Sequence, residues 1–512
     1  MSKKLVKSTA VVGSMTLLSR VLGFIRDMVV ARVFGVGEGT DAFFVAFKIP
    51  NFMRRLFAEG AFAQSFVPVL SEYKTQRDHE ETKRLVDDVA GRLGALLLLV
   101  TVVGVLAAPI LIAIFAPGFL DEPEKYALAS DMLMLTFPYI FFISLTALAG
   151  GILNTYGRFG VPAFTPVLLN LALISCAVWL APEMEQPIVA LAWGVLIAGV
   201  AQLLFQFPFL LKLKLLPRPR LGGKSEGANK IKTLMLPAIF GSSVAQINLL
   251  LDTLIASFLI TGSVSWLYFS DRLVEFPLGV LGIALATVIL PSLSQQHAAK
   301  SPQAFSKTLD WALRWVMLIG TPAMVGLFML AGPMLATLFQ YDAFTEHDVE
   351  MSTLSLMAYS VGLQGFILVK VLAPGFFARQ DTKTPVKVGI IAMVANMVLN
   401  VVLVFPLAHA GLALATSISA FINAGLLYRI LRREGVYTPE AGWLKLLLQV
   451  MLANVAMGML LWWGAGDLKT WFAWGGWERA WHLMMWVAAG GAVYFLALFL
   501  VGVNFRMLWK KS

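Results

Sequence analysis

VVGSMTLLSRVLGFIRDMVVARVFG (residues 11–35) has the length and apolar character of a membrane-spanning helix, yet Arg20 and Arg26 interrupt it. The same conflict recurs in DAFFVAFKIPNFMRRLFAEGAFAQSFVPVL (41–70), with Arg54 and Arg55, and in WLYFSDRLVEFPLGVLGIALATVILP (266–291), with Arg272. An arginine near the bilayer centre costs roughly 2.5–3.5 kcal/mol on insertion scales, so such residues face water or an anionic partner rather than lipid. Several in one chain point to a buried anion-binding site.

The rest of the chain supports the membrane reading. Its 512 residues are 58% hydrophobic and 14% charged, with a mean hydropathy of +0.78, whereas soluble domains carry about 25% charged residues. Apolar windows of about 20 residues, the length that crosses the hydrocarbon core as a helix, recur throughout. The start, MSKKLVKSTAVVG, has no small-residue cleavage site and is expected to be a retained helix rather than a signal peptide. The single cysteine, Cys176, excludes an intrachain disulfide and a cysteine metal cluster. The net charge of +10 is explained by basic loops rather than by nucleic-acid binding.

Reading these windows against helix breakers predicts an all-α polytopic protein of about fourteen transmembrane helices. They lie near 9–34, 40–70, 92–116, 130–156, 162–182, 187–211, 233–260, 265–293, 310–339, 350–378, 385–407, 410–431, 443–464 and 481–503. Lys and Arg collect after spans 2, 6, 10 and 12, while the intervening loops are acidic or neutral. The positive-inside rule then places both termini in the cytoplasm, as an even number of spans requires.

A duplication is visible beneath this pattern. SFVPVLSEYK around Pro68 resembles VILPSLSQQH around Pro291, an offset of 223; APILIAIF at Pro109 resembles GPMLATLF at Pro333, offset 224; GRFGVPAF at Pro162 resembles DTKTPVKV at Pro385, offset 223. Two homologous six-helix halves follow, 1–221 and 222–435, with residues 436–512 supplying two further helices. An even number of spans per half makes the halves parallel, as in transporters with a site between two lobes.

Charge counting separates ion pairs from a surplus. Spans 1, 2 and 8 carry Arg20, Arg26, Arg32, Lys48, Arg54, Arg55 and Arg272 against Asp27, Asp41, Glu59, Asp271 and Glu275. Intramembrane salt bridges account for part of this set, and the positive excess suits phosphate or pyrophosphate, whose oxygens guanidinium binds bidentately. Arg54 and Arg55 are adjacent and cannot both point one way: one faces the cavity, the other pairs with a neighbour or snorkels. A second group is polar. Asp252 stands alone in INLLLDTLIASFLI, Asn396 and Asn400 are one helical turn apart, and Thr416 lies on span 12. These oxygens suit either a hard cation such as Na⁺ or hydrogen bonding between helices. Catalytic motifs are wanting: GGKS at 222–225 has Arg218 where a phosphate loop needs glycine.

The long motifs SRVLGFIRDMVVARVFG, TDAFFVAFKIPNFMRRLFAEGAFAQSFVPVLSEYK, SVSWLYFSDRLVEFPLGVLGIALATVILPSLS and VKVLAPGFFARQDTKTPVK closely resemble the lipid II flippase family (MurJ). That family belongs to a superfamily of multidrug, oligosaccharidyl-lipid and polysaccharide exporters. The resemblance implies two six-helix lobes around a V-shaped cavity and a C-terminal helix pair that forms a groove for the lipid tail. It implies a non-enzymatic function: moving undecaprenyl-pyrophosphate-linked peptidoglycan precursor from the cytoplasmic to the periplasmic leaflet of the bacterial inner membrane. By motif, Arg20, Arg26, Arg54 and Arg272 are similar to the family's cavity arginines, and Asp41 to a further functional acid. Lys48, Arg55, Glu59, Asp271 and Glu275 are secondary cavity candidates. Asp252, Asn396, Asn400 and Thr416 resemble a sodium site of some members, with Na⁺ or the membrane potential as the expected energy source and no other cofactor. The expected partners are lipid II, membrane lipids and cell-wall synthesis proteins, with the chain itself a monomer. The rival readings are an exporter of another polyprenyl-pyrophosphate-linked saccharide, a cation-coupled drug exporter, a membrane enzyme acting on polyprenyl phosphates, and a lipid-binding scaffold.

Overall fold

Helices recur along the chain at the interval of the proline landmarks. The computed structural model describes residues 3–55, 62–220 and 225–503, and every regular element among them is helical. The first series is α1 (Lys3–Phe34), α2 (Glu38–Met53), α3 (Ala63–Gln76), α4 (His79–Leu106), α5 (Ala108–Phe115), α6 (Pro123–Thr136), α7 (Tyr139–Thr155), α8 (Gly160–Ser175) and α9 (Val189–Lys212). The second is α10 (Glu226–Ala256), α11 (Ser263–Pro277), α12 (Ile283–Ala298), α13 (Pro302–Trp315), α14 (Thr321–Met329), α15 (Ala331–Phe339), α16 (Glu346–Phe377) and α17 (Lys383–Arg433). Then come α18 (Trp443–Ala465), α19 (Leu468–Ala473) and α20 (Gly476–Leu500). Lys3 and Glu226, His79 and Pro302, Ala108 and Ala331, Pro123 and Glu346, and Gly160 and Lys383 each open corresponding helices 223 positions apart.

Among the described residues, ten helical stretches are long and apolar enough to cross a membrane. α1, α2 and α10 fall outside that set; α1 carries Arg20, Arg26, Asp27 and Arg32, and α2 has only 16 residues. Lys383–Arg433 holds two of the expected spans, joined at a kink where Ala408 takes φ 47 and ψ −129. Pro406 withdraws a backbone donor just before it. Fourteen crossings are consistent with these elements.

The chain divides into two packing units between Ser265 and Trp266. In the first, α10 packs against α3, α1 against α8, and α7 and α8 against α9. Phe66, Leu85, Val86, Leu148, Ile152, Leu210 and Ile231 form a buried core there. The repeat boundary near residue 222 therefore precedes the packing boundary, because α10 opens the second repeat yet packs within the first unit. In the second unit α16 lies along α17, and α18 and α20 pack on each other and on α14.

Polar anchors hold the last helices in place. Asp310 on α13 is buried and accepts hydrogen bonds from Arg314 Nε (2.6 Å), the Tyr437 hydroxyl (2.7 Å), Trp443 Nε1 (2.6 Å) and the Glu440 amide (3.1 Å). Burial and the bond to Asp310 push the pKa of the Tyr437 hydroxyl, in the loop before α18, upward. Arg479, at the start of α20, donates to the carbonyls of Ala336, Gln340 and Phe472, each 3.0 Å away. These contacts satisfy carbonyls left open at the ends of α15 and α19.

Candidate functional site

The predicted arginines lie on helices or at a helix end, and their surroundings differ. Arg20 on α1 is exposed, with no ion pair among the described residues. Two turns on, Arg26 directs Nε (3.0 Å) and Nη2 (2.6 Å) onto Asp27 Oδ1, and Nη1 (3.1 Å) onto Asn170 Oδ1 of α8. Asn170 in turn donates to the Ser19 carbonyl (2.9 Å). Neighbours in sequence lie about 100° apart on a helix, so this pair forms only because the long guanidinium bends back. Asp27 is buried and Arg26 mostly so.

Arg54 follows the last turn of α2 and holds Asn51 Oδ1 through Nε (3.0 Å) and Nη2 (2.8 Å). Arg55 and Lys48 are half-buried on the same stretch. Glu59 lies outside the described residues. In the second unit, Arg272 on α11 pairs with Glu275 (2.6 Å) and stands over the Tyr268 ring, 4.7 Å from its centroid. Asp271 beside it is half-buried, and Glu275 is exposed.

Asp41, expected as a further functional acid, is held by neighbours in its own unit. It is 1% exposed and accepts from the Gly262 amide (2.7 Å), the Ser265 amide (3.0 Å) and the Ser265 hydroxyl (2.6 Å). Lys125 Nζ lies 3.4 Å from its other oxygen. That ammonium also donates to Thr261 Oγ1 (3.1 Å) and sits 4.5 Å from the Phe119 ring centroid. Glu122 accepts from the Thr261 hydroxyl (3.0 Å) and lies 3.4 Å from Lys125. A buried carboxylate with three donors and a counter-charge is satisfied within the fold. Asp41 ties the segment 261–265 to α2 and to the start of α6.

The polar group is partly described. Asn396 and Asn400 are fully buried one turn apart on α17, with Thr416 further along the same stretch. Asp252 is half-buried on α10, within the first unit. Amide and hydroxyl oxygens of this kind are hard donors by type.

Two partners escaped the reading of the sequence. Asn170 is the lone strongly polar residue in GVPAFTPVLLNLALIS, which is itself a signal of a partner across helices. Lys125 was hidden in the acidic run DEPEK, where it reads as a loop residue.

The helices, duplicated at 223 residues and carrying arginines within apolar spans, define a multi-span transporter. Solved structures agree on the fold: a multidrug resistance MATE family transporter of the MOP superfamily, in an inward-facing conformation, matches with TM-score 0.65 at 17% identity, over 83% of this chain and 98% of its own. A structure titled "Lipid II flippase MurJ, inward closed conformation" matches with TM-score 0.79 at 25% identity, over 98% of this chain and 99% of its own. The profile described as "Lipid II flippase MurJ" matches residues 30–475. A probable lipid II flippase MurJ of Vibrio cholerae is 51% identical, covering 99% of this chain and 98% of that protein. One of Haemophilus influenzae is 47% identical, covering 97% and 100%. The chain belongs to the lipid II flippase MurJ family.

Proposed function

We infer that this chain is a flippase for lipid II, carrying the polyprenyl-pyrophosphate-linked precursor from the cytoplasmic to the periplasmic leaflet by alternating access. The observation that carries the reading is the placement of Arg26, Arg54 and Arg272 on three helices of a protein in this family. Guanidinium groups bind phosphate oxygens bidentately, and a pyrophosphate offers more such oxygens than a carboxylate. An arginine-lined, hydrated route removes the cost of taking a charged headgroup through hydrocarbon. A potential negative inside favours outward movement of the anion by about 2.3 kcal/mol per charge per 100 mV. It also draws the unloaded cationic groups back. Both termini lie in the cytoplasm on this reading, by the positive-inside pattern of the loops.

Binding tests the headgroup assignment. Purified protein is expected to bind lipid II at least tenfold more tightly than the same lipid lacking its pyrophosphate, with the preference lost when Arg26 and Arg272 are both glutamine. Equal affinity for the two lipids contradicts it. Asp252, Asn396, Asn400 and Thr416 are proposed ligands of a coupling Na⁺. Transport is then expected to rise with Na⁺ in the parent protein, and the Na⁺ dependence to vanish in Asn396→Leu; a sodium-indifferent parent removes Na⁺ from the account.

A further inference from the structure

The first unit carries an apolar cavity of about 440 Å³ that the flippase mechanism does not use. Its walls come from α4, α7 and α9, with Gly94, Ala95, Leu145 and Phe207 among the lining residues. The small residues of α4 leave the space, and Leu216 and Pro217 of the segment after α9 close one end. The volume falls within the roughly 300–1,000 Å³ typical of ligand sites.

What borders the cavity is a short basic strap. All four charged residues in 212–220, namely Lys212, Lys214, Arg218 and Arg220, are basic and exposed. The strap is held by its backbone: the Arg218 amide donates to Asp87 Oδ1 (2.7 Å) and the Arg220 amide to the Asp87 carbonyl (3.2 Å). Gly91 lies directly under the Arg220 backbone, and a side chain there would collide with it. Pro217 and Pro219 restrict the strap further. The Asp87 carboxylate is occupied by Lys83 and the Arg218 amide. The guanidinium groups of Arg218 and Arg220 therefore have no acidic partner among the described residues.

We propose that this cavity and strap form a binding site for an anionic glycerophospholipid, with an acyl chain in the cavity and the phosphate on Arg218 and Arg220. Charge complementarity selects the occupant. A neutral lipid or detergent would fill the cavity without using the arginines, whereas a cytoplasmic-leaflet anionic lipid uses both. The site is distinct from Arg26, Arg54 and Arg272, which belong to other helices. A prebound lipid here would join the strap to α4, α7 and α9 without entering the transport cycle.

The test uses the full chain in nanodiscs, with lipid retention after extraction read by native mass spectrometry for phosphatidylglycerol and phosphatidylcholine of identical acyl chains. The parent is expected to retain phosphatidylglycerol preferentially. R218Q/R220Q should lower that preference about thirtyfold, as two basic residues worth about 1 kcal/mol each imply, and rising salt should erode it in the parent. Ala95→Phe, which fills the cavity and leaves the strap intact, should reduce retention of both lipids. Equal retention of the two lipids by the parent, or an unchanged preference in R218Q/R220Q, overturns the proposal. Displacement of phosphatidylglycerol by undecaprenyl pyrophosphate, one for one, also overturns it, because the site would then belong to the substrate.

Discussion

Arg272→Ala is expected to lower lipid II translocation by about tenfold to a hundredfold, the range set by losing charge-assisted hydrogen bonds worth about 1.5–3 kcal/mol. The guanidinium pairs with Glu275, which is exposed, and stands over Tyr268, both on its own helix, and losing these two contacts should lower the melting temperature less than breaking a buried ion pair does. Arg272→Lys separates charge from geometry. A lysine keeps the charge but loses the planar fork, so partial activity is expected, between the alanine variant and the parent. Arg26→Ala should carry a structural cost as well, because Arg26 neutralises buried Asp27 and reaches Asn170 on α8. Transport rates normalised to folded protein would check both statements. Full activity of Arg272→Ala would remove this residue from pyrophosphate binding.

The second large effect concerns Lys125. Its ammonium is 1% exposed beside buried Asp41, and breaking a buried ion pair from one side typically costs about 3–5 kcal/mol, because an uncompensated charge stays behind. Lys125→Ala is therefore expected to lower thermal stability sharply in detergent. Neutralising both partners, as Asp41→Asn with Lys125→Met, should recover most of the loss, since replacing a whole buried pair is often close to neutral. The check is thermal unfolding of the two single variants and the double. Additive destabilisation in the double variant would show that the two residues act independently.

The interval of the duplication was legible because prolines and helix breakers survive divergence, and the helix starts repeat at the same 223 residues. The break between spans 11 and 12 was legible as well: Pro406 and the small residues after it mark the turn that Ala408 makes. Side-chain pairing was less so. A helical wheel separates Arg26 from Asp27 and says nothing of Asn170, which lies 144 positions away. Asp41 was singled out by resemblance, yet its satisfied state depends on Lys125, Gly262 and Ser265, which only the folded chain brings to it. Periodicity reports which face a residue shares, and distant polar partners carry no periodic signal. Arginines in apolar spans stood out for the opposite reason, since their cost is written in one local window.

The most direct test of the central claim is a leaflet-resolved assay of lipid II in proteoliposomes holding the purified chain alone. The parent is predicted to move lipid II from the leaflet of the loop-basic face to the other, faster under a potential negative on that face, with Arg26→Ala/Arg272→Ala near the rate of empty vesicles. Equal movement in empty and protein-bearing vesicles, or undiminished movement in the double variant, would contradict it.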